Sequence, residues 1–170
     1  TLYPLYDFFN GSIDEVAIWN RSLSPQEVWR LYDKGRWKLL ETYGNLSSGD
    51  DITHNMTSLP LSAQEDMLLL LHFDNDPSFG ENNTHVYDWS INGNNGTCSG
   101  ASCPYWNSSG RMGGAFEFDG SSDYFNLGSP SSLNLSENFT IQAWVNYTDP
   151  TGEQVLIEKL CDRFDIVRES

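Results

Sequence analysis

The segment Phe139 to Tyr147 (F-T-I-Q-A-W-V-N-Y) alternates without a break, placing Phe139, Ile141, Ala143, Val145 and Tyr147 on one side. A period of two belongs to a half-buried β-strand; a helix would scatter the same residues around its circumference. Shorter runs repeat the texture. Gly114 to Gly120 sets Phe116 and Phe118 against Glu117 and Asp119, and Ile13 to Trp19 is rich in β-formers. Met67 to Phe73 (M-L-L-L-L-H-F) is apolar on both faces, as for a central strand covered on each side. Asp123 to Leu127, Val155 to Leu160 and Arg163 to Val167 read as further strands. Between them lie turns: Asp74 to Gly80, and Asp88 to Gly96 with Asn and Gly at positions able to take positive φ. Strands at this spacing predict a sandwich.

One helix interrupts the pattern. Ser24 serves as N-cap, Pro25 takes the first helical position and Glu27 completes a capping box with Ser24. Leu23 can staple to Val28; Val28, Leu31 and Tyr32 form an apolar stripe, and Gly35 provides the stop. From Arg36 to Asp66 the pattern weakens and reads as a linker that can carry a strand of its own.

The 170 residues suffice to bury a core, and 14% aromatic residues exclude a disordered chain. The net charge is -15, with nine Lys and Arg in all. Duplex binding needs cations that displace counterions, so nucleic acid and anionic membrane are poor partners. The acidity itself fits either plain solubility or divalent cation binding. No apolar run reaches the ~18 residues of a membrane span. The chain opens at Thr1 without a leader, which is compatible with an internal fragment and leaves secretion open.

Asn-x-Ser/Thr triplets begin at Asn10, Asn20, Asn45, Asn55, Asn82, Asn95, Asn107, Asn134, Asn138 and Asn146. Chance would give roughly two or three. Asn20 and Asn95 fall inside motifs treated below, leaving Asn10, Asn45, Asn55, Asn82, Asn107, Asn134, Asn138 and Asn146 as glycosylation candidates. Either a Ser/Asn-rich turn composition or passage through a glycosylating membrane system explains the excess. Cys98 and Cys103 frame a short Ser/Gly loop that can bring two thiols into bridging range, as expected in an oxidising compartment. Cys161 has no partner in view: it is a buried apolar residue, or it pairs beyond Ser170.

Five motifs together resemble the laminin-G-like domains of the concanavalin-A-like superfamily, to which pentraxins are related. Leu69 to Asp74 matches the opening strand that runs into Phe-Asp. Asp88 to Thr97 matches D-x-S-x-N-G-N-N-G-T, and Gly113 to Tyr124 matches G-G-A-x-x-F-D-G-x-x-D-Y. Phe139 to Val145 matches F-T-I-x-A-W-V. Phe9 to Val28 matches the closing signature F-x-G-x-I-D-E-V-x-I-[YW]-N-R-x-L-S-x-x-E-[IV], yet it comes first. The resemblance implies an all-β, concanavalin-A-like jelly-roll β-sandwich with one short α-helix. The inverted order implies two tandem modules: residues 1-35 close an upstream one, 36-66 link, and 67-170 open the next. A circular permutation is the alternative. In the family fold the first and last strands are neighbours, so Ile13 to Trp19 is expected to pair with Met67 to Phe73.

The superfamily also includes glucanases, which need paired carboxylates. Glu117 and Asp119 are the nearest match and lack a third acid; Asp14 and Glu15 are adjacent and should point to opposite strand faces. A non-catalytic role is therefore expected. Asp74, Asp76, Asp88, Asn92 and Asp119 come from loops that the family places near one rim, with Asp14 on the closing strand beside them. They are the candidates for a structural calcium ion, or else they cap turns. Trp89, Tyr105, Trp106 and Tyr124 lie in or beside polar loops and can stack on a sugar or pack over the sandwich edge, whereas Trp19 and Trp144 look like core. The expected role is recognition of a glycan, or of an extracellular protein, in a secreted or cell-surface multi-domain protein. A spacer between neighbouring modules is the third reading.

Overall fold

The computed structural model describes residues 7-33, 66-135, 138-148, 153-159 and 164-168. The regular elements are mostly strands: β1 (Asp7–Phe8), β2 (Asn10–Trp19), β3 (Met67–Leu71), β4 (His85–Val86), β5 (Gly96–Thr97), β6 (Tyr105–Asn107), β7 (Ala115–Asp119), β8 (Thr140–Tyr147), β9 (Gln154–Lys159) and β10 (Phe164–Arg168). One α-helix, α1 (Pro25–Asp33), follows β2, and three short 3-10 turns occupy loops. Among the described residues the architecture is thus all-β with a single short helix.

β2 organises the larger sheet. Along one edge β8 pairs antiparallel with it, from Tyr147 opposite Gly11 to Thr140 opposite Trp19. Along the other edge two strands share its length. Its first half pairs with β7, Ile13 opposite Phe116, and its second half with β3, Val16 opposite Leu71 and Ala17 opposite Leu70. β6 continues the sheet beyond β7. A second sheet runs β1-β9-β10, and β4 with β5 forms a small ribbon. The expected pairing of the Ile13 to Trp19 strand with the Met67 strand is therefore observed, over β3.

A bulge sits in the middle of β2. Asp14 stands opposite Trp144 and Ala17 opposite Gln142, so Glu15 and Val16 together face one residue of β8. Glu15 takes φ 53° to make this step. The extra residue resets the alternation. Ile13, Val16 and Ile18 reach the main core with Phe9, Leu69, Leu71, Phe73 and Phe116, while Ala17 and Trp19 join Leu31, Met67, Leu70 and Trp89 in a second cluster. β3, buried at all five positions, feeds both clusters, which explains its unbroken apolar run. Truncating a side chain such as Leu70 or Phe116 there costs roughly 2–5 kcal/mol.

The helix begins as its sequence dictates. Ser24 Oγ accepts from the Glu27 amide at 3.3 Å, and the Glu27 carboxylate accepts from the Ser24 amide at 2.7 Å. Arg21 grips both Glu27 oxygens at 2.8 and 3.1 Å, and its hydrogen bond is the main reason that Glu27 is lowered to about 2. The apolar stripe behaves differently from expectation. Leu31 is buried, but Val28 and Tyr32 are exposed.

One further expectation is corrected. Asp123 to Leu127 is no strand; only Asn126 makes an isolated bridge, to Thr97. Side chains and loop carbonyls take the backbone bonds instead: Asp123 accepts from the Asp119 amide, and the Tyr124 amide donates to Ser102. Trp144 is half-buried and packs against the second core cluster, in keeping with its expected place. The 36-66 linker lies outside the described residues except Asp66, whose carbonyl accepts from the Asn20 amide at 2.9 Å.

Candidate functional site

The β2 bulge gathers the main titratable cluster. Asp14 and Glu15, expected on opposite faces, are both buried, because the left-handed Glu15 breaks the two-residue period. Glu15 bonds His72 Nδ1 at 2.8 Å. Asp14 Oδ2 accepts from the Met112 amide at 2.9 Å, and Asp74 accepts from the Gly114 amide at 2.9 Å. A loop is thus hung between two aspartates. Gly113 has φ 83°, and a methyl there would run into the Asp74 carboxylate, so the loop needs glycine. Burial pushes the Asp14 carboxyl up to about 7; the Met112 bond opposes this, while the charges of Glu15 and Asp74 add to it. For His72 burial acts downward, but the Glu15 bond and the charges of Glu15, Asp74 and Glu81 prevail and raise it. Burial likewise raises Glu15, against the His72 hydrogen bond and charge, which lower it. Burial raises Glu81, which accepts from the Asp76 and Tyr87 amides.

The six calcium candidates each have hydrogen bonds of their own. A hard cation needs six to eight oxygens converging on one point. Asp88, fully buried, spends both oxygens on Leu70, Ser90 and Asn94. Asp119 caps Ser121 and Ser122, and Asp76 caps Ser78. Asn92 turns its amide nitrogen toward the Met67 and Leu68 carbonyls. Asp74 and Asp14 hold the Gly110–Gly114 loop. Among the described residues no group of three or more His, Cys, Asp or Glu is placed to hold a metal ion. These acids are bonded to backbone and turn hydroxyls.

Of the four ring candidates, two are exposed. Tyr105 is 72% and Tyr124 49% exposed. Trp89 is buried, with Phe79 4.1 Å away and His72 against its edge. Trp106 donates its indole N–H to the Phe73 carbonyl at 3.0 Å and packs on the main core. Trp89 belongs to the second cluster and Trp106 packs on the main one, the packing alternative that the sequence left open for both. Tyr105 and Tyr124 flank the Cys98–Cys103 disulfide, whose Cα atoms are 5.1 Å apart. Tyr105 lies two residues beyond Cys103, and Tyr124 hangs from Ser102 through its amide. Beside Tyr105, Glu117 stands opposite in the ladder and hydrogen-bonds Asn107, and Asp119 ends β7. Sequence reasoning missed the exposed Trp29, Tyr32, Phe79, Tyr87 and Ile91. Helical spacing placed Tyr32 in a buried stripe, and nothing local signals which side of α1 the sheet covers.

The sequon asparagines divide by exposure. Asn82, Asn134, Asn138 and Asn146 are exposed; Asn10 and Asn107 are half-buried. Asn45 and Asn55 lie outside the described residues. The chain matches no protein-family model, no curated protein and no solved structure. Among the described residues no helix is long and apolar enough to cross a membrane.

Proposed function

We propose that this chain is a non-catalytic recognition module of a secreted or cell-surface protein, with a jelly-roll sandwich that binds glycan on the rim carrying Tyr105 and Tyr124. The observation that carries the reading is the pair of exposed phenol rings standing at one disulfide-braced loop, with Asn107, Glu117 and Asp119 beside Tyr105. A flat ring stacks on the C–H face of a pyranose, and amide and carboxylate groups bond its hydroxyls. The brace reduces the ordering cost of binding. Binding is favoured over hydrolysis because the adjacent acids of the bulge, Asp14 and Glu15, are buried and tied to Met112 and His72. The exposed sequons and the disulfide support the extracellular setting. In this reading residues 1-35 and 67-170 derive from tandem modules.

The test is a glycan array probed with the full chain and with Tyr105→Ala and Tyr124→Ala. Wild type should capture a defined set of glycans, and each variant should lose at least about tenfold in affinity. Capture that is equal for all three proteins would defeat the reading.

A further inference from the structure

Trp144 is the centre of a surface that the rim does not include. Tyr32 of α1 stacks on its ring, with centroids 6.0 Å apart and planes at 25°, and the Arg111 guanidinium lies 4.8 Å from its centroid. Tyr32 is 70% exposed, and Trp29, one turn earlier on the same helix face, is 61% exposed. Arg111 is also exposed, and among the described residues no carboxylate lies within ion-pair distance of it. In a chain with 24 acids and nine Lys and Arg, a cation laid on an indole instead of a carboxylate is free to meet an outside anion.

Along the β2–β8 ladder at Trp144, three buried side-chain atoms have no hydrogen-bond partner among the described residues: Asp14 Oδ1, Gln142 Oε1 and Trp144 Nε1. They are neighbours in the ladder. Asp14 stands opposite Trp144, and Gln142 is two residues along β8 on the same face. Asp14 is only 3% exposed. Buried polar atoms are nearly always bonded, so three adjacent exceptions mark a place for a ligand rich in hydroxyl groups.

We infer that Tyr32, Trp144 and Arg111 bind an anionic pyranose, with its carboxylate or sulfate on Arg111 and its ring on the aromatic stack. The inference rests on the glycan-recognition reading but places this ligand at a different surface. A guanidinium meets a carboxylate or sulfate through two parallel N–H bonds, which fixes the ring's orientation. Tyr32, an exposed side chain able to exchange rotamers quickly, can swing off the Trp144 ring to admit the sugar. The chain's net negative charge is screened beyond about 8 Å at physiological salt, so local groups decide. The local acid, Asp14, is held up to about 7 by burial and carries little charge in mildly acidic solution.

The test titrates the full chain by calorimetry with trigalacturonate, galactose 6-sulfate and neutral galactotriose at about 150 mM salt. An anionic probe should bind at least about tenfold more tightly than galactotriose. Arg111→Gln and Tyr32→Ala should each weaken it at least about tenfold, with unchanged melting midpoints, while Ile91→Ala, at an exposed residue outside both surfaces, changes it less than about twofold. Which anionic probe binds separates carboxylate from sulfate. Failure of both anionic probes overturns the inference, as does an Arg111→Gln protein that binds like wild type. Loss confined to the Tyr105 and Tyr124 variants overturns this surface and leaves the rim reading standing. Loss confined to Arg111 and Tyr32 leaves this surface standing and removes the rim as its site.

Discussion

Replacing Asp14 by Asn isolates the energetic consequence of the β2 bulge. The Asp14 carboxyl ordinarily ionises at 3.8 and is held at about 7 in the fold, chiefly by burial. Each pH unit between those values is worth about 1.4 kcal/mol, so the ionised group costs the folded state about 4 kcal/mol above neutrality. The sign follows from which state holds the proton. Between the two values the folded chain keeps it and the unfolded chain does not, so stability falls as pH rises across that window and levels off above it. An amide carries no such proton. Its carbonyl still accepts from the Met112 amide, and its nitrogen takes the place of the unpartnered Oδ1. Urea melts of both proteins at about pH 5, 6, 7 and 8 should show the Asp14→Asn protein gaining on wild type by about 2.7 kcal/mol between pH 5 and 8, the part of the shift that lies above pH 5. Glu15, Glu81 and His72 titrate in both proteins and largely cancel in the difference. A stability difference that stays constant from about pH 5 to 8 would refute the assignment.

Asp88→Ala leaves the buried Leu70 and Asn94 amides without their acceptor and also removes the bonds from Ser90. At roughly 1–3 kcal/mol per unsatisfied buried donor the loss should reach about 3–5 kcal/mol, read as a drop of about 6–20 °C in melting midpoint. Asp88→Asn, which keeps one oxygen, should lose less. Reducing the Cys98–Cys103 bridge releases a short loop worth about 2 kcal/mol, and the Tyr105 rim should loosen with it. A reduced protein that matches the oxidised one in both stability and glycan affinity would remove the bridge from the account.

Local chemistry alone specified much of this fold. The Ser24-Pro25-x-Glu27 cap starts α1 because the bonds involved span three residues. The alternation of Phe139 to Tyr147 and the apolar run at Met67 gave strands β8 and β3, and a four-residue spacer was short enough to promise the Cys98–Cys103 bridge. Exposure and convergence were decided elsewhere. Whether Trp89 is a surface platform or part of the core depends on Phe79 and His72, and whether Tyr32 is buried depends on where α1 rests against Trp144. The adjacency of Asp14 and Glu15 promised opposite faces, and one left-handed residue in a bulge, set by the pairing of β2 with β8, undid that promise. Period and capping are properties of a few consecutive residues, whereas burial and the pairing of polar atoms depend on partners that only the fold brings together, such as Tyr32 with Trp144 or Asp14 with Met112.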